Sequence, residues 1–129
     1  MTDERIARLA TVGGDGMPHV VPVTFAIQGD RLMIAIDHKP KTTMNLRRLR
    51  NIRENPRVCV LADHYDDDWT QLWWVRADGE ATIVETGAER TAAVEALAEK
   101  YSQYQDHVPE GPVICIGVTR WSGWSYSGN

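Results

Sequence analysis

The residues best placed to act together on a ligand lie between positions 38 and 57, where seven of the chain's 14 lysines and arginines stand against one carboxylate, Glu54. The remainder of the 129 residues carries seven bases and 17 acids. A cationic island on an acidic chain concentrates potential at one place, which suits a small polyanion better than a long nucleic acid. His38, Lys39 and Lys41 come first, then the hydroxyl pair Thr42 and Thr43, then Arg47, Arg48, Arg50 and Arg53. On a helix, Arg47 and Arg50 share a face, as do Arg50 and Arg53. Lys39 and Lys41 would precede that helix, where unpaired N–H groups and the positive dipole end also favour an anion. A plain solvated helix face is the alternative, and the near absence of compensating acids argues against it.

Aromatic residues form a second constellation. Five tryptophans accompany a single phenylalanine, Phe25. Trp73 and Trp74 are adjacent, so on a strand they point to opposite faces; one packs inside while the other meets a partner subunit or a flat ligand. Trp121 and Trp124 close the chain in a similar way. Around His64, the acids Asp63, Asp66, Asp67 and Asp68 lack the spacing of a calcium-binding loop and read as a solvated acidic loop. Cys59 and Cys115 each sit in an apolar run and read as buried free thiols of a reducing, cytoplasmic compartment. Neither a P-loop nor a Gly-x-Gly-x-x-Gly or Gly-x-Ser-x-Gly pattern occurs, which leaves NTPase, Rossmann and common hydrolase chemistry without support.

The elements that must position these groups are legible from hydrophobic periodicity. Residues 6–12 are largely apolar and end at Gly13-Gly14-Asp15-Gly16; residues 17–28 resume the pattern; Gly29-Asp30 turns into residues 31–37. Three strands in two hairpins follow. Leu46, Leu49 and Ile52 then repeat every three residues with bases between them, an amphipathic helix capped by Thr42 or Thr43 and stopped at Asn55-Pro56. Residues 57–63 form a strand, 71–85 a long strand bent near Asp78-Gly79, 87–104 a second helix and 113–120 a last strand. Six mostly antiparallel strands with two helices predict one small β-barrel domain over residues 1–129. The polar, acidic start is not that of a signal peptide. No stretch approaches the roughly 20 apolar residues that a membrane span needs, so neither a membrane nor a nucleic acid is an expected partner.

Several of these stretches carry a family likeness. Ala7-Arg8-Leu9-Ala10-Thr11-Val12 with Gly16-Met17-Pro18-His19-Val20-Val21-Pro22-Val23 resembles the opening hairpin of the pyridoxamine 5′-phosphate oxidase-like proteins. Asp37-His38-Lys39-Pro40-Lys41, Leu46-Arg47-Arg48-Leu49-Arg50-Asn51-Ile52, the segment from Asp63 through Gly79 and the closing Arg120-Trp121-Ser122-Gly123-Trp124-Ser125 resemble an actinobacterial branch described as probable coenzyme F420-dependent enzymes. Such relatives carry a helix ahead of the first strand, where residues 1–5 stand here.

The resemblance implies a six-stranded antiparallel split β-barrel with two helices, binding a flavin or deazaflavin at a homodimer interface. It implies that Lys39, Lys41, Thr42 and Thr43 hold the cofactor phosphate and that Arg47, Arg48 and Arg50 hold the phosphate or the carboxylates of the tail. By the same likeness, backbone around Pro22 to Thr24 lies beside the ring, while Trp73, Trp74 or Trp121 borders a small organic substrate. Seven bases exceed what the single phosphate of FMN requires, which favours the multiply charged deazaflavin, with FMN as the alternative and haem or simple cofactor storage as a third. A C=C reduction also needs a proton donor, for which Tyr65, His38 and solvent are the options.

Overall fold

A computed structural model describes residues 1–36 and 43–127, with the side chains of 43–46 left out. The chain order is β1 (Ala7–Val12), β2 (Pro18–Val23), β3 (Ala26–Gln28), β4 (Arg31–Ala35), α1 (Thr43–Glu54), β5 (Arg57–His64), β6 (Trp73–Val84), α2 (Ala88–Lys100), α3 (Gln103–Asp106) and β7 (Val113–Ser125). One antiparallel sheet runs β2-β1-β5-β6-β7-β4-β3.

The strand count is seven rather than six, because the expected strand over 17–28 breaks at Thr24-Phe25. Its halves, β2 and β3, lie on opposite edges of the sheet yet are only two residues apart in the chain. The sheet must therefore roll until its edges meet at this break, which closes the barrel. Leaving the ladder orphans the main chain of Phe25, and Tyr101 replaces the missing partners. Its hydroxyl accepts from Phe25 N–H at 3.1 Å and lies 2.9 Å from the Arg5 carbonyl and 3.1 Å from that of Phe25. A buried backbone group needs such a partner whatever its source.

Alternation along the strands builds the interior. Leu9, Val21, Val60, Ala62, Ala77, Ile34, Ile114 and Ile116 pack inside with Phe25, and Leu49 and Ile52 of α1 close one end. A second apolar layer lies outside, where Ala93, Val94, Leu97 and Tyr101 cover Ala26, Met33, Ala35 and Cys115. The bend expected at Asp78-Gly79 is a register shift between β6 and β7. A Cβ at Gly79 would sit 2.4 Å from the Gly117 carbonyl oxygen, so only glycine fits. The second helix ends at Lys100 and restarts as α3, while β7 runs on to Ser125 and takes both C-terminal tryptophans into the sheet. Among the described residues no helix is long and apolar enough to cross a membrane.

Candidate functional site

Besides the packing of Leu49 and Ile52, polar contacts hold the C-terminal end of helix α1 to the barrel. Asn51, buried, donates through Nδ2 to Thr11 Oγ1 at 3.1 Å. Glu54 Oε1 accepts from Gly14 N–H at 2.7 Å. Gly13 lies so near that a Cβ there would meet Asn51 Oδ1 at 2.5 Å. The single acid of the basic segment is thus committed to the β1–β2 turn rather than to its neighbouring arginines. Among the described residues, Arg47, Arg50 and Arg53 make no ion pair, and Arg50 and Arg53 are exposed.

One turn before Asn51, the same helix face carries Arg47 and Arg48. Thr11 pairs across the ladder with His19 of β2, so the two arginines come to the imidazole. Burial, then Arg47, then Arg48 push the His19 pKa below its ordinary value, and burial lowers that of Arg48. His19 Nδ1 and Arg47 Nε are both shielded from solvent with no hydrogen-bond partner among the described residues. These orphaned polar atoms fit an oxyanion. His38, Lys39, Lys41 and Thr42 lie outside the described residues, as does the side chain of Thr43.

The outer face of β2, β1, β5, β6 and β7 holds an apolar cavity of about 590 Å³ lined by Ala10, Val20, Leu61, Leu72, Trp74 and Trp124. Trp74 lies directly across from Trp124, and Val20 and Leu61 are exposed. Its polar rim carries the pairs Arg8–Asp63 at 3.2 Å and Arg76–Asp78 at 3.3 Å. Trp73 also borders this cavity, packs in part against the barrel core and stacks on His64 with ring centroids 6.2 Å apart. Trp121 is not brought to this group. It pairs with Ala77, whose side chain points into the barrel, and its Nε1–H reaches toward Asp30 Oδ1 at 3.4 Å.

A third feature has no counterpart in the sequence reading. At the β2–β3 break, a cavity of about 740 Å³ is bordered by Arg5, Thr24, Lys100, Tyr101 and Tyr104. Thr24 Oγ1 and Tyr104 Oη are 2.6 Å apart. Lys100 Nζ sits 3.7 Å from the Phe25 ring centroid, and its pKa is lowered to about 8, first by burial and then by Arg5, against the opposing pull of Asp3 and Glu4. Two tyrosines three apart after a helix give no local signal of this role. Cys59 and Cys115 are free, Cys59 only half-buried, and burial pushes the Cys115 thiol up to about 11, which makes it a poor nucleophile. Tyr65 stands exposed, receiving a long bond from Trp69 Nε1 at 3.4 Å.

The family model described as pyridoxamine 5′-phosphate oxidase matches residues 1–125. A 5a,11a-dehydrotetracycline/5a,11a-dehydrooxytetracycline reductase from Streptomyces rimosus is 43% identical over 56 residues, 43% of this chain and 38% of that protein. A FAD-binding protein from Mesorhizobium loti superposes with a TM-score of 0.72 at 23% identity, over 95% of this chain and 86% of its own. HutZ, the heme storage protein from Vibrio cholerae, superposes with a TM-score of 0.72 at 18% identity, over 94% and 85% respectively. These structural likenesses establish the split-barrel fold.

Proposed function

Because this chain belongs to the pyridoxamine 5′-phosphate oxidase family, we propose that it is an oxidoreductase dependent on coenzyme F420, acting on a small unsaturated or carbonyl-containing molecule as a homodimer. The observation that carries this reading is the docked α1 helix, whose only acid is spent on a turn and whose Arg47 is left without an anionic partner among the described residues. The deazaflavin, when bound, supplies a hydride, so the protein needs no nucleophile of its own. Arg47, Arg48 and Arg50, with Lys39, Lys41, Thr42 and Thr43 before them, hold the phosphodiester and the carboxylate tail. Main chain of Pro22 to Thr24 flanks the ring, which puts the cavity beside Thr24 on the substrate side. The Thr24–Tyr104 hydroxyl pair there can hold a proton at Tyr104 Oη. That assignment displaces Tyr65, whose hydroxyl stands exposed elsewhere.

The apolar face around Val20, Leu61, Trp74 and Trp124 is the surface that the second copy would cover. The local likeness to a reductase supports reduction of an acceptor rather than oxidase chemistry. The test is a spectroscopic titration with the deazaflavin, FMN and haem in parallel, since each absorbs at its own wavelength. Saturable deazaflavin binding is expected, weakened roughly ten- to hundredfold in Arg47→Ala by loss of a charge-assisted contact. The melting temperature of that variant should barely move. Tight FMN binding without any for the deazaflavin overturns the assignment.

A further inference from the structure

We propose that His19 is a ligand of the same anion site as Arg47 and Arg48, and that it takes up a proton when an oxyanion binds there. This inference rests on the reading of α1 as an anion site, and it adds a residue from a different element. The geometry is set by two registers. Thr11 of β1 is the anchor for Asn51 of α1, and His19 of β2 is the cross-strand partner of Thr11. Arg47 and Arg48 are one helical turn before Asn51, so strand pairing and helix period bring an imidazole and two guanidinium groups to one spot.

Among the described residues, the charged groups that act on His19 are Arg47 and Arg48 of α1. From β1 it meets the neutral Thr11. Asp15, the acid of the intervening turn, is engaged by Met17 N–H at 3.0 Å. Burial and the two guanidinium groups disfavour the imidazolium, and the shielded Nδ1 has no partner among the described residues. A bound phosphoryl or sulfuryl group reverses the sign of the local field and offers an acceptor. The protonated imidazole, an acid with two N–H donors, then becomes the favoured form. Linkage makes the effect reciprocal: an anion that raises the proton affinity of His19 binds more tightly to the protonated protein.

Inorganic sulfate is the probe, because its own charge is constant across the working range. The imidazole signals of the full chain are followed by NMR from about pH 5 to about pH 8, with and without sulfate, and His19 is assigned by its loss in His19→Gln. Its pKa is expected to rise on saturation. Sulfate affinity by calorimetry is expected to fall with pH, roughly tenfold for each unit of that rise. In His19→Gln the pH dependence should vanish while the melting temperature and the residual affinity at high pH persist. An unmoved His19, the same pH slope in His19→Gln, or no sulfate binding at all overturns the proposal. Tight deazaflavin binding with an unmoved His19 removes this inference alone, whereas sulfate-coupled titration without deazaflavin binding removes the cofactor reading alone.

Discussion

Lys100 shows how one side chain can carry an energetic tension that its local sequence conceals. At the C-terminal end of α2 a lysine is favourable to the helix dipole, and nothing nearby in sequence marks it. Tertiary packing then sets its ammonium over Phe25 and away from water, with Arg5 close by. The folded-state pKa of about 8 lies below the ordinary 10.5, so between these values the unfolded chain binds the proton that the folded chain has released. Stability from this group therefore rises with pH across that window, and the full penalty is present below it. Relative to Lys100→Met, the wild-type melting temperature is expected to gain ground as pH rises from about 7.5 to about 10. A constant difference would show that the ammonium is not perturbed. Arg47 was legible as a cation from its type and spacing, but its link to His19 was not, because that link crosses between strand and helix.

At the scale of elements, the break between β2 and β3 is the decisive departure from local pattern. Val20, Val21, Val23, Phe25 and Ile27 read as one continuous strand, and nothing in their alternation signals a change of sheet edge. The α2–α3 corner makes the break tenable, through Tyr101 bound to the main chain of Phe25 and Tyr104 to Thr24. Tyr101→Phe leaves the buried Phe25 N–H without its acceptor. It is expected to cost about 1–3 kcal/mol in chemical denaturation, the usual penalty for an orphaned buried donor. A loss below that range would mean that water or a shifted strand takes over. Tyr101 also lines the cavity at Thr24, so the same variant tests whether that cavity keeps its shape.

At the scale of the whole molecule, the outer face of β2, β1, β5, β6 and β7 leaves Val20, Leu61 and Trp124 exposed around an apolar cavity. For the proposed homodimer this face is the contact. Leu61→Asp places a carboxylate in its centre, beside Asp63 and Cys59, and is expected to yield monomers by light scattering at micromolar concentration with the fold retained by circular dichroism. Unaltered dimers would move the interface elsewhere. If the dimer also completes the site, the monomeric variant will lose deazaflavin affinity although α1 is untouched.

Local order along the chain determined the β1–β2 and β3–β4 hairpins, the amphipathic α1 with its stop at Asn55-Pro56, the glycine-dependent bend in β6 and the excess of positive charge. Each depends on residue type and short spacing, which a linear chain displays in full. The tertiary structure decided what distance in the chain hides: that β2 and β3 lie on opposite edges of one rolled sheet, that Trp121 parts company with Trp74 and Trp124, that Glu54 serves a turn and that His19 meets Arg47. Those outcomes come from strand register and helix docking, where burial of the Leu9–Phe25–Ile114 interior outweighs the preferences of any single segment.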